Sequence, residues 1–132
     1  MKKKDIRILL VDDDTDILEI VGYNLSQEGY QISTAINGRD AIAKAKKTLP
    51  HLIIMDVMMP RLDGFSACKE IRKTKSTPII MLSASSEEYD KLFGFELGID
   101  DYIVKPFSPK ELMARINAVL SRHNPANTKD AK

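Results

Sequence analysis

The chain lacks most of what would mark a secreted, fibrous or membrane protein. Of its 132 residues one is cysteine, Cys68, so no disulfide framework can form within it and a reducing cytoplasm is the simplest home. There is no tryptophan, and no apolar run is long enough to span a bilayer. Lys2, Lys3 and Lys4 open the chain, but no apolar stretch follows them, so neither a signal peptide nor membrane association is expected. His51 and His123 stand far apart without further Cys or His beside them, which argues against zinc. The net charge of +1 gives no global attraction to nucleic acid, and direct nucleic-acid binding by this segment is not expected. With 43% apolar and 30% charged residues, the composition is that of one ordinary globular domain with a single sizeable core.

Short apolar runs alternate with helical patterns along the whole chain. Ile6 to Val11 reads as a first strand, followed by Leu18, Val21 and Leu25 at helical spacing up to Gly29. Gln31 to Ala35 is a second strand, and Asn37-Gly38 turns into a helix carrying Ala41, Ile42 and Ala45. Leu52 to Met55 reads as a strand buried on both faces, ending on Asp56, with Phe65, Cys68 and Ile71 as the stripe of a third helix. Ile79 to Leu82 is a fourth strand, followed by a helix from about Ser86 to Leu97 that Gly98 ends. Tyr102 to Val104 is a fifth strand. The last helix has the clearest start, with Ser108 as N-cap, Pro109 at the first position and Glu111 at the third, and it runs to about Arg122. Five strands alternating with five helices predict an α/β fold: a flavodoxin-like, doubly wound (βα)5 unit with a five-stranded parallel sheet in the order 2-1-3-4-5.

That order puts a crevice at the carboxyl ends of the strands, so the residues there are the ones to inspect. Strand one offers Asp12, Asp13 and Asp14, strand three Asp56, strand four Ser83 and strand five Lys105. Two or three carboxylates this close repel one another and call for a cation, and hard oxygen ligands on an open rim suit Mg2+. A carboxylate beside Mg2+, a lysine and a hydroxyl can act as nucleophile toward phosphorus. Each residue also has a plainer reading. Asp14 and Asp16 can cap or charge the start of the next helix, Ser83 alone is a loop hydroxyl, and Lys105 alone is a solvated charge. Cys68 and the methionines Met55, Met58 and Met59 read as core or loop residues. Asp56 resists such a reading, because capping needs a helix immediately afterwards and Pro60 stands in the way.

The segments "ILLVDDD", "LIIMDVMMPRLDG", "PIIMLSA" and "DDYIVKPF" resemble the receiver domain of bacterial two-component response regulators, over about residues 5 to 122. The resemblance implies that Asp56 accepts a phosphoryl group from a sensor histidine kinase. It implies that Asp13, Asp56 and the backbone carbonyl of Met58 bind Mg2+, with Asp12 acting mainly through water. It implies that Ser83 and Lys105 contact the phosphoryl group, that Lys105-Pro106 is a cis peptide, and that Tyr102 is an aromatic switch. Ser83 stands where threonine is more usual in the family, with the same hydroxyl chemistry. Such a domain is a phosphoacceptor with self-phosphorylation and self-dephosphorylation chemistry rather than an enzyme. "KPFSPKELMARI" further resembles the subfamily whose members carry a winged-helix DNA-binding domain, which would make transcription the output. No such domain lies within these residues, so the expectation is a stand-alone or truncated receiver over 1–123, with 124–132 a polar tail or the start of a linker.

The charge pattern also suggests a symmetric dimer of the phosphorylated form. Glu111, Arg115 and Arg122 share an exposed stripe on the last helix, next to Asp100 and Asp101, with Lys91 on the fourth helix. A two-fold axis could pair Lys91 with Glu111, Asp101 with Arg115 and Asp100 with Arg122, and the resemblance implies the same pairs. Two other functions compete. A phosphatase of the haloacid dehalogenase type would use Asp12-x-Asp14, but Asp16 stands where that motif wants threonine or valine, and Asp56 would have no role. A flavin-binding module would want a Gly- or Ser/Thr-rich loop after strand one, where three acids repel phosphate instead.

Overall fold

The computed structural model describes residues 2–123, so the expected polar tail lies outside the described residues. After a single 3-10 turn at Lys3–Asp5, the chain forms β1 (Arg7–Val11), α1 (Thr15–Gln27), β2 (Gln31–Ala35), α2 (Gly38–Thr48) and β3 (Leu52–Asp56). It continues through α3 (Gly64–Arg72), β4 (Ile79–Ser83), α4 (Glu88–Glu96), β5 (Asp101–Val104) and α5 (Pro109–His123). All five strands lie in one parallel sheet in the order β2-β1-β3-β4-β5, the topology expected from the sequence.

The period of two along each strand divides the core between the two faces. Ile8, Leu10, Ile54, Ile80 and Leu82 pack against Val21 and Leu25 of α1 and Leu112, Ile116 and Val119 of α5. Leu9, Val11, Ile53, Met55 and Met81 face Ala41 and Ala45 of α2 and Ala67, Cys68 and Ile71 of α3. β3 lies in the middle of the sheet, and every one of its residues is buried, including Asp56. Each of its fully buried aliphatic side chains contributes on the order of 2 kcal/mol, which fixes where the strand ends. Burial also pushes the Cys68 thiol above its ordinary pKa, consistent with a core residue.

Helix starts follow the polar residues that precede them. Asp14, Asn37 and Asp63 accept from the amides of Asp16, Asp40 and Ser66, and Ser108 Oγ accepts from Glu111 N at 3.0 Å. Gly29 and Gly98 follow α1 and α4 with φ of +104° and +94°, the left-handed exits that glycine supplies. α4 departs from expectation: it begins at Glu88 rather than near Ser86, and its N-cap Glu87 makes no side-chain cap bond. Gly94 is its one buried residue, while Tyr89, Leu92, Phe93 and Phe95 are exposed.

Candidate functional site

Strand register assembles the rim. Val11 pairs with Met55, so Asp12 and Asp56 follow side by side; Asp56 pairs with Leu82, and Ser83 pairs with Val104, which leads directly into Lys105. The loop after β3 is closed by a tight approach at Gly64, where a Cβ would sit 2.3 Å from the carbonyl oxygen of Asp56. Only glycine fits there, and its own amide donates to Val57 O at 2.8 Å.

Lys105 Nζ lies 3.1 Å from Asp12 Oδ2 and 3.2 Å from Asp56 Oδ1. Asp12, Asp56 and Ser83 are buried, at 0%, 5% and 2% exposure, whereas Asp13 is open to solvent. One carboxylate oxygen from each of Asp12, Asp13 and Asp56 lies within 4.8 Å of the others. Burial, then the charge of Asp12, pushes the Asp56 carboxyl from its ordinary 3.8 to about 6; Lys105 opposes this without cancelling it. Burial also works against the Lys105 ammonium, but its hydrogen bond to Asp12 and the charges of Asp12 and Asp56 outweigh that and hold its pKa above the ordinary value. Three hard oxygen donors, one of them reachable from solvent, form a set that fits a hydrated divalent cation.

The remaining predicted residues fall into place around this cluster. Asp14 is the cap of α1, as its plainer reading held, and Asp16 lies in the first turn of that helix. Asp12 Oδ1 accepts from Asp14 N at 2.9 Å, so it also braces the loop. Met58 lies two residues beyond β3 with its side chain exposed. The Lys105-Pro106 peptide is cis. Tyr102 is buried, its hydroxyl donating to Ser85 O at 3.0 Å.

Five of the six residues of the expected dimer face, all but Lys91, are engaged within the chain by the bonds that follow. Arg115 Nη1 lies 3.0 Å from Asp101 Oδ1, and Arg115 Nη2 lies 3.6 Å from Glu111 Oε2. Arg122 Nη2 donates to Asp100 O at 3.2 Å, while Asp100 Oδ2 accepts from Ile79 N at 2.8 Å. Lys91 is half-buried on α4. Sequence reasoning missed Asp63 as the cap of α3 and Ser85 as a bonding centre. An Asp directly before Gly64 and an apolar stripe was a signal for the first; for Ser85 no local signal existed.

The chain matches the response regulator receiver domain over residues 8–117 and belongs to that family. It is 50% identical over 117 residues to the alkaline phosphatase synthesis transcriptional regulatory protein PhoP of Bacillus subtilis, covering 88% of this chain and 49% of that protein. It is 48% identical over 128 residues to the probable transcriptional regulator ycf27 of Pyropia yezoensis, covering 97% and 53%. The chain thus spans about half the length of the curated relatives it matches. Among solved structures, it aligns with the receiver domain of the Francisella response regulator 1452 at a TM-score of 0.86 and 35% identity, covering 91% of this chain and 100% of that one. The BeF3-activated DrrB receiver domain aligns at 0.80 and 36% identity, covering 88% and 97%. Among the described residues no helix is long and apolar enough to cross a membrane.

Proposed function

We propose that this cytoplasmic receiver takes a phosphoryl group onto Asp56 from the phosphohistidine of a sensor histidine kinase. An Asp56 oxygen attacks phosphorus, the P–N bond breaks, and the imidazole nitrogen leaves with the electron pair. The observation that carries this reading is the uncompensated rim: Asp12 and Asp56 share one lysine, Asp13 adds a third carboxylate within 4.8 Å of both, and Asp56 is pushed up to about 6. Lys105, 3.2 Å from Asp56 Oδ1, faces the charge of the incoming group. Ser83 Oγ accepts from Ser85 N, which leaves its own hydrogen available for a phosphoryl oxygen. Asp12, Asp13, Asp56 and the backbone carbonyl of Met58 would hold Mg2+, which when bound neutralises the transferring oxygens. Attack by water on the same phosphorus would return Asp56 to its free form, so the domain would reset itself.

Tyr102 is the switch residue of this reading, and the phosphorylated receiver forms a symmetric homodimer through α4, β5 and α5. The charges Lys91, Asp100, Asp101, Glu111, Arg115 and Arg122 set its register. Exposed ion pairs contribute about 0–1 kcal/mol, and Arg115 and Asp101 already satisfy each other within one chain. The affinity must therefore come from exposed apolar residues such as Leu92 and Phe95. The relatives' names point to transcription as the output, with residues 1–123 as the receiver unit. Incubation with acetyl phosphate and Mg2+ tests the central step by intact mass: wild type gains one phosphoryl group and Asp56→Asn gains none. Equal labelling of the two would refute it.

A further inference from the structure

We infer that Ser85 is a positioning residue that ties the Asp56 rim to α4. Four hydrogen bonds meet at it. Its amide donates to Ser83 Oγ at 3.0 Å, and its carbonyl accepts from the Tyr102 hydroxyl at 3.0 Å. Its own hydroxyl donates to Asp90 Oδ2 at 2.6 Å and accepts from Glu87 N at 3.2 Å. One residue thus joins the end of β4, the interior of β5 and the first turn of α4.

α4 depends on this connection because little else holds its start. Glu87 gives it no side-chain cap, Gly94 is its one buried residue, and a cleft of about 570 Å3 opens along Met58, Phe65, Ser83, Ser85 and Asp90. An O–H donor to a carboxylate is among the stronger protein hydrogen bonds, and Asp90 sits where a negative charge favours the helix dipole. The Ser85–Asp90 bond therefore ties the first turn to the loop from two residues upstream of Glu87, while satisfying none of the helix's own amides. The inference rests on the proposed phosphorylation of Asp56. An oxygen placed there draws the Ser83 hydroxyl, and the Ser85 amide bonded to that hydroxyl follows. The Ser85 side chain then passes the movement to Asp90 and to the helix that displays Tyr89, Leu92, Phe93 and Phe95. The coupling is a shift between two arrangements of one loop and helix, biased by one contact at the site.

Hydrogen–deuterium exchange of the α4 amides, with and without acetyl phosphate and Mg2+, tests this in wild type, Ser85→Ala, Asp90→Ala and Ser85→Thr. Intact mass of the same samples reports phosphoryl uptake. Without phosphate, both alanine variants should exchange about five-fold faster over the hydrogen-bonded amides of α4 from Lys91 onward, the effect of losing one hydrogen bond that ties the first turn down. On phosphorylation, wild type and Ser85→Thr should change their α4 exchange. Ser85→Ala and Asp90→Ala should take up the phosphoryl group but show no such change. A wild-type-sized change in the alanine variants would make Ser85 a local brace and nothing more, and would overturn the inference, as would an unresponsive α4 in phosphorylated wild type. If wild type takes up no phosphoryl group, the reading of Asp56 fails and this one falls with it.

Discussion

At the amino ends of the strands, Arg7 donates to the carbonyls of Thr48 and Leu49 at 2.8–3.1 Å, and its amide donates to His51 Nδ1 at 2.9 Å. Asp100 takes the Ile79 amide at 2.8 Å and lies 3.6 Å from Arg72 and 2.6 Å from His123. At the carboxyl ends, by contrast, Asp12 and Asp56 share one lysine and Asp13 brings a third carboxylate within 4.8 Å of them. The two rims belong to the same sheet and have the same apolar strands between them, so packing does not explain the difference. Where charge is matched within the chain, the polar groups serve the fold. Where it is left unmatched at a buried position, keeping it has a cost, and the proposed binding of a cation and a phosphoryl group would relieve it.

The largest effect expected from disturbing either rim is Gly64→Ala. Its Cβ would fall 2.3 Å from Asp56 O and 2.9 Å from Val57 Cα, both backbone atoms that cannot step aside. Urea denaturation should show a loss on the order of 4 kcal/mol, or failure to fold. Next is Asp100→Ala on the amino rim, which strands the buried Ile79 amide and unpairs Arg72; it should cost on the order of 2–3 kcal/mol. A neutral or stabilising result would erase the contrast between the rims. The smallest effect concerns His51, whose pKa is lowered by burial and then by the Arg7 charge. Below the ordinary 6.5, the unfolded chain binds that proton more readily than the folded one, so stability falls as pH drops through this window. His51→Asn, which keeps an acceptor for the Arg7 amide but cannot titrate, should gain on wild type between pH 7 and pH 5. A constant difference would sink that reading.

The sheet order and the rim were legible because they depend on patterns within single segments: apolar runs of five or so residues, each ending on a polar one. β1 through β5 start and end within a residue or so of the expected positions, and Ser108 caps α5 as expected. What the sequence concealed were pairings made by crossing elements. Asp101 and Arg115, fourteen residues apart, meet because α5 runs back past β5, so charges that suggested contacts between chains bond within one. Asp100 is similarly drawn to the Ile79 amide of a neighbouring strand. The late start of α4 has a comparable cause, since Ser85 and Glu87 bond in the loop before the helix begins.

The most direct test of the contrast is the melting temperature of Asp56→Asn against wild type, without divalent cation, at pH 7 and pH 4.5. Because the folded carboxyl titrates near 6 and the unfolded one near 3.8, the folded chain holds the proton more tightly. Wild type should lose stability as pH rises through that window, by at most on the order of 3 kcal/mol. The asparagine variant should therefore melt about 5 °C or more above wild type at pH 7, with the gap narrowing at pH 4.5, where Asp56 is already protonated in the fold. A variant that melts below wild type at pH 7, or a gap indifferent to pH, would contradict the claim that the carboxyl rim holds its charge at the expense of stability.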